Sequence, residues 1–351
     1  MSHPGEGFAR RSSHTVSLLE CPRKAYLSQL LALRVTPDYG GERGPLSVGK
    51  MFHTLLEIHY NPAYAKGRPL LGTDGCPVLD TPEEALDWFV DVQRAAESAA
   101  DEAYKVYLRY CYSYEQEGHD LLADQIIGRP EPDVEADIRN FPGGPVKSVP
   151  VTYRAQYDAV ARARPGRGAP GVMSVENKSL ASFGLSTVRA YRHSGQILGQ
   201  CAVWNSRPDL TQRFGTMDQV LLNLAFKGKN PERPVHREQM FINPGHVRRF
   251  TFALSAALDE LEYRLSRDVM ARQRGDSIAD VWPMLGITRG CCARLVGFPC
   301  RYLSICETGV LEGEMFQITE SGRARLEADQ VVRVSGELET YAVPVTEAES
   351  T

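Results

Sequence analysis

The sequence has no apolar run of about 18 residues, so no membrane-spanning helix is expected. Met1 to Arg11 is polar and lacks the apolar core of a secretory leader. The expected compartment is the cytoplasm, where thiols stay reduced. Eight cysteines then read as ligands or buried thiols rather than disulfides. No flavin- or dinucleotide-binding glycine fingerprint occurs, which ranks a redox protein last among the candidate classes. His53, Glu57 and His59 miss the H-E-x-x-H spacing of zinc proteases. No internal repeat is visible. A large net charge is also lacking: the value is −4, which by itself argues weakly against a polyanionic partner.

What is present is ordinary globular composition: 351 residues, 42% hydrophobic and 24% charged. That length allows one large domain or two small ones. The charges are unevenly placed. Residues 151–250 carry fifteen Lys/Arg against six Asp/Glu, whereas residues 81–140 carry five against fifteen. A basic middle suits a polyanionic substrate; two ordinary solvated surfaces would give the same counts.

Apolar periodicity predicts a helix over 13–35, with Cys21-Pro22 inside it as a kink or restart. A second helix is expected from Val48 to Tyr60. Residues 82–127 read as an acidic helical insertion carrying Trp88, Phe89, Tyr104, Tyr107 and Tyr110. The period turns strand-like over Val149–Ala161 and Val172–Asn177. A helix Thr187–Asn205, strands Gln219–Ala225 and Val235–Ile242, and an amphipathic helix Phe250–Arg272 follow. The expected fold class is α/β, a central mixed β-sheet flanked by helices. One domain is expected over 1–311: a helical insertion at about 61–130, a core at about 131–250, and a C-terminal helix with a cysteine loop over 250–306. The acidic tail 312–351 has a composition that suits partial disorder.

The chemistry concentrates at Asp158 and at Glu176-Asn177-Lys178. Two carboxylates from adjacent strands can converge on a hard divalent cation such as Mg²⁺ or Mn²⁺, which prefers oxygen ligands. Glu176 and Lys178, two apart, share one face of a strand. The ammonium can then stabilise charge and orient or deprotonate a water. That is minimal equipment for phosphodiester hydrolysis. Upstream, Gly49-Lys50-Met51-Phe52-His53 puts a histidine on a helix; downstream, Gln196, Gln200 and Trp204 share a helical face.

In this order the set resembles the RecB-type branch of the PD-(D/E)xK nuclease superfamily, over roughly residues 12–306. The resemblance implies a restriction-endonuclease-like core and a metal-dependent deoxyribonuclease. His53, Asp158, Glu176 and the backbone carbonyl of Asn177 would bind the metal, Lys178 would act on the water, and Gln200 would lie near metal and DNA. Gln196, one turn earlier on the same face, fits that place equally well. Trp204 stands where the family has tyrosine. Arg162, Arg164, Arg167, Arg189 and Arg192 are candidate phosphate contacts; Trp204 is a candidate stacking ring for DNA, a core aromatic being the commoner role of such a residue.

Cys21 near the start and Cys291 or Cys292, Cys300 and Cys306 near the end resemble the iron–sulfur subset of this branch, such as the CRISPR-associated four-cysteine exonucleases. That likeness implies a [4Fe–4S] cluster joining the N- and C-terminal segments. The departure is Gly297, where the subset's first C-x2-C cysteine would fall. A four-cysteine Zn²⁺ site or buried thiols are the alternatives, and Cys76, Cys111 and Cys201 read as ordinary apolar side chains. The expected activity is exonucleolytic, on single-stranded DNA or duplex ends, in recombination, repair or spacer acquisition, with proteins of those pathways as partners. The alternative is a non-catalytic nucleic-acid-binding or assembly module on the same fold.

Overall fold

A computed structural model of the protein describes residues 21–35, 45–60, 81–91, 95–115, 122, 125–128, 133–142, 152–163, 171–180, 188, 191–227, 235–274, 281–282, 300, 302–308 and 316–327. In chain order the elements begin with α1 (Pro22–Ala25, continued by a π-helical turn over Tyr26–Leu30), β1 (Leu33–Val35), α2 (Pro45–His59), α3 (Pro82–Asp91) and α4 (Glu97–Glu115). Five strands follow: β2 (Ile126–Gly128), β3 (Asp133–Asp137), β4 (Thr152–Gln156), β5 (Ala159–Arg162) and β6 (Val172–Leu180). Then come α5 (Gly195–Asn205), α6 (Pro208–Phe214), β7 (Met217–Phe226), β8 (Val235–Phe241) and α7 (Pro244–Arg274). The chain closes with α8 (Leu303–Thr308), β9 (Phe316–Ile318) and α9 (Glu320–Glu327).

Two compact units divide the chain, residues 42–252 and residues 1–41 with 253–351. The larger unit is built on a five-stranded sheet in the order β2-β5-β6-β7-β8. All neighbours run antiparallel except β6 and β7, which are parallel. A parallel pair needs a crossover, and α5 and α6 lie between these strands in the chain. The α/β class with a central mixed sheet flanked by helices is therefore what the chain adopts. One face of β6 and β7, through Met173, Val175, Leu221 and Ala225, joins a core with Met51, Phe52, Leu55 and Leu56 of α2 and with Phe89, Ala103 and Val106 of α3 and α4. Apolar side chains at i, i+3 and i+4 give α2 the stripe that this sheet face covers.

In the smaller unit, β1 pairs with β9 antiparallel, Leu33 opposite Ile318. Tyr302 donates to the Leu33 carbonyl at 3.0 Å. Trp282 is fully buried, 5.2 Å from the Tyr26 ring, and its indole donates to Asp268 at 2.8 Å. No helix among the described residues is long and apolar enough to cross a membrane.

Several boundaries differ from the sequence reading. Among the described residues a helix starts at Pro22, with Cys21 as its N-cap, so of the kink and the restart the sequence allowed it is the restart that Pro22 makes. The helix does not reach residue 35: Ala32 takes φ 49°, a left-handed value that ends it, and a strand follows. Within 82–127 the described residues are helical over α3 and α4 and again at Leu122 and Gln125, and strand β2 begins at Ile126. Residues 149–161 are not one strand, because Tyr157 and Asp158 separate β4 from β5. Within the tail, 316–327 forms β9 and α9.

Candidate active site

Gly49 lies one turn before His53 on α2, and a Cβ there would meet the Ser179 hydroxyl at 3.3 Å. The missing side chain lets α2 lie close on β6, which brings the next turn to the sheet edge. His53 Nδ1 stands 3.4 Å from Asp158 Oδ2. Asp158 occupies the break between β4 and β5. The same Oδ2 accepts the backbone N–H of Asn177 at 2.8 Å, which ties the break to the middle of β6.

Glu176 and Lys178 project to one face of β6, as their spacing requires. Glu176 is fully buried, while His53, Asp158 and Lys178 keep 29%, 20% and 22% of their side-chain surface exposed. The site is thus sealed beneath and open on one side. Lys178 Nζ donates to Glu176 Oε1. Gln196 Nε2 donates to the same oxygen at 2.5 Å, and Gln200 Nε2 donates to Oε2 at 3.1 Å. Gln200 also donates to the Gln156 carbonyl at 2.7 Å and accepts from the Ser174 hydroxyl at 2.9 Å. Its own backbone carbonyl accepts from Tyr157 at 2.7 Å. The two glutamines, left as alternatives by the sequence, therefore act together: one turn apart on α5, each holds one oxygen of Glu176. Gly199 between them permits this, since a Cβ there would meet the Tyr153 hydroxyl at 2.7 Å.

Burial acts against charge in all four groups. It would lower the His53 pKa, but the Asp158 carboxylate outweighs it and holds the imidazole above its ordinary value. Burial would raise Asp158; His53, by charge and hydrogen bond, and Lys178 reverse this and leave it below its ordinary value. Glu176 is pushed up, by burial first and then by Asp158. Lys178 is held up against burial by Glu176 and Asp158. Both partners of one ion pair shift upward because Lys178 faces two anions, whereas Glu176 is deeper and faces a second carboxylate.

Behind β6 lies a buried polar chain that the sequence reading missed. Asn177 Oδ1 accepts from Asn223 Nδ2 at 2.8 Å. Asn223 also donates to Tyr110 Oη at 2.8 Å. Arg237 donates to Tyr60 Oη at 2.9 Å and to Tyr110 Oη at 2.6 Å, and its guanidinium lies 3.5 Å from the Tyr114 ring centroid. The one sequence signal was Asn223 itself, a lone amide within the apolar strand Val220–Phe226.

The remaining expected residues are placed differently. Trp204 is no stacking ring: it is fully buried, donates to the Gly215 carbonyl at 3.0 Å and meets the Tyr157 ring edge-on at 6.0 Å. Arg162 is exposed at the end of β5. Arg164, Arg167 and Arg189 lie outside the described residues, as do Cys291 and Cys292. In the smaller unit Cys21, Cys300 and Cys306 are free thiols. Cys306 is held above its ordinary pKa by burial first; Arg23 opposes this, and Cys21 and Cys300 are near enough to add to it.

Carboxylates, a peptide carbonyl and an imidazole are donors of the kind that hard divalent cations take, so the chemistry of the donor set around Asp158 fits one. Among the described residues, no three His, Cys, Asp or Glu side chains already stand in a metal-holding arrangement; protein donors take up the carboxylate oxygens instead. The family model of the PD-(D/E)XK nuclease superfamily matches residues 12–306. No curated protein matches the chain.

Proposed function

Because the chain belongs to the PD-(D/E)XK nuclease superfamily, we propose that it is a metal-dependent DNA exonuclease of the RecB-type branch, with its chemistry at Asp158, Glu176 and Lys178. The observation that carries this is the joining of the break residue Asp158 to the Glu176-Asn177-Lys178 strand, through the Asn177 N–H at 2.8 Å. His53 beside Asp158 and Gln200 on Glu176 support the branch. The match runs through both compact units, which supports treating residues 1–311 as one nuclease module.

Asp158, Glu176, His53 and the Asn177 carbonyl would hold Mg²⁺ or Mn²⁺, which supplies Lewis acidity toward a phosphoryl oxygen and a more acidic water. The chain's own groups do the positioning. Gln196 and Gln200 lock the orientation of the Glu176 carboxylate. Lys178, kept charged by two carboxylates, is suited to orient water and neutralise charge building on the phosphoryl group, more than to accept a proton. Asn177 fixes Asp158 relative to both. The substrate is DNA, cut from single strands or duplex ends in recombination, repair or spacer acquisition.

For the thiols we propose a structural cluster, [4Fe–4S] or Zn²⁺, on Cys21, Cys300, Cys306 and one of Cys291 and Cys292. In its favour, Cys21 and Cys300 are near enough to act on the Cys306 thiol, although the three do not already stand in a metal-holding arrangement. Iron, sulfide and zinc analysis of anaerobically purified protein, with absorbance near about 400 nm, separates the choices; protein free of both metals rejects the cluster. The activity is tested by a time course on end-labelled linear and circular DNA, single- and double-stranded, with each cation. Degradation of linear but not circular substrate is expected; binding without cleavage under every cation would leave a binding module instead.

A further inference from the structure

Beside the carboxylate site, on the larger unit, two short segments bring two arginines and two histidines together. Arg192 and His193 immediately precede Ser194, the N-cap of α5. His246 and Arg249 lie on the first turns of α7. The His193 and His246 rings are 4.8 Å apart at 54°. Among the described residues, no carboxylate pairs with any of the four. His246 Nδ1 and Arg192 Nε are buried and have no hydrogen-bond partner there. Buried polar nitrogens normally find a partner, and leaving one without costs stability. His246 also sits below its ordinary pKa, through loss of water first and then through His193, Arg249 and Arg192. A phosphate oxygen would accept from both orphan nitrogens and balance the charge of the two arginines, and the guanidinium fork suits it. His193 and Arg249 are exposed, so the cluster is reachable from solvent.

Its position relates it to the proposed chemistry. Tyr191, next to Arg192, is near enough to Lys178 and Glu176 for both charges to act on its hydroxyl. We propose that Arg192, His193, His246 and Arg249 form a subsite for a backbone phosphate of the DNA strand, neighbouring the scissile one. This rests on the nuclease reading and adds a substrate contact to it.

The test measures binding of a fluorescent single-stranded oligonucleotide by anisotropy, on Lys178→Ala protein so that nothing is cut. The cluster is compared with Arg192→Gln/His246→Gln and, in case that pair misfolds, with the exposed pair His193→Gln/Arg249→Gln; Arg213→Gln, an arginine outside the cluster that lies over the Phe214 ring, serves as control. Either cluster variant is expected to weaken binding about tenfold, as for one lost charge-assisted hydrogen bond. It should also flatten the slope of log affinity against log salt by about 0.7 for the lost phosphate contact, with the control unchanged. A scan of single neutral methylphosphonate linkages should find one position that weakens the intact cluster and has no further effect on the variant. Unchanged affinity and slope in both variants, or no such position, overturns the subsite. Inorganic phosphate that protects the cluster while DNA binding stays indifferent to the variants would mark a free-phosphate site and equally overturn it. Wild-type protein that cuts DNA while the variants bind normally removes only this inference; protein that neither binds nor cuts removes the nuclease reading with it.

Discussion

Asn223→Leu tests the buried chain behind the candidate active site. Asn223 is fully buried, and its amide donates to Asn177 Oδ1 and to Tyr110 Oη. Leucine has nearly the same shape and no donor. Tyr110 Oη keeps Arg237 and Tyr60 as partners, so the substitution orphans chiefly one acceptor, Asn177 Oδ1, and removes the weak 3.4 Å bond that Arg237 Nε donates to Asn223 Oδ1. A buried acceptor left unsatisfied costs about 1–3 kcal/mol, a fall of roughly 4–8 °C in Tm at about 2 kcal/mol for a unit of this size. Thermal or urea unfolding followed by circular dichroism reads it. Asn177→Leu/Asn223→Leu should be less destabilised than the sum of the two single changes, with a coupling of about 1–2 kcal/mol, because the orphan goes when both amides go. Cleavage by Asn223→Leu should also slow, since Asn177 sits between Glu176 and Lys178 and its N–H holds Asp158. A single variant within about 0.5 kcal/mol of wild type, the range of a neutral surface change, or strict additivity of the two, would refute the reasoning.

Other outcomes follow from the same contacts. Gly199→Ala should destabilise by about 1–3 kcal/mol through overpacking against Tyr153, despite the roughly 1 kcal/mol helix-propensity gain of alanine over glycine; a raised Tm would show that the ring yields freely. Gln196→Leu and Gln200→Leu should each cut the turnover rate more than they weaken DNA binding, because each removes the amide that fixes one Glu176 oxygen; a change confined to binding would contradict the clamp. Burial pushes the Cys201 thiol up to about 12, so at pH 8, well below that value, it stays protonated and should resist iodoacetamide in native protein while alkylating after denaturation, as mass spectrometry will read; modification at the pace of a free peptide thiol would place it elsewhere.

The part of the site that was legible in the sequence is the part built from local spacing. Glu176 and Lys178 share a face because strands repeat every two residues, and Gln196 and Gln200 share one because a helix brings i and i+4 together. The Asp158 break was not legible: Val149–Ala161 alternates like one strand, and only the separate pairing of β4 with β3 and of β5 with β2 and β6 splits it. Strand β1 was hidden for a similar reason, since its partner β9 lies far along the chain. Of the two roles open to Trp204, core aromatic or stacking ring, burial leaves the first, and helical spacing could not decide because it does not say which face a sheet covers. The Asn177–Asn223–Arg237–Tyr110 chain joins residues from three strands and a helix, and no short-range pattern announces it.

The central claim is that Lys178 and Asp158 carry phosphodiester hydrolysis. The direct measurement is release of label from end-labelled linear DNA with Mn²⁺, by wild type, Lys178→Ala and Asp158→Ala, each first shown to be folded by circular dichroism. Wild type should degrade the DNA, and both variants should lose the activity while keeping the fold. Undiminished degradation by both folded variants would contradict the account.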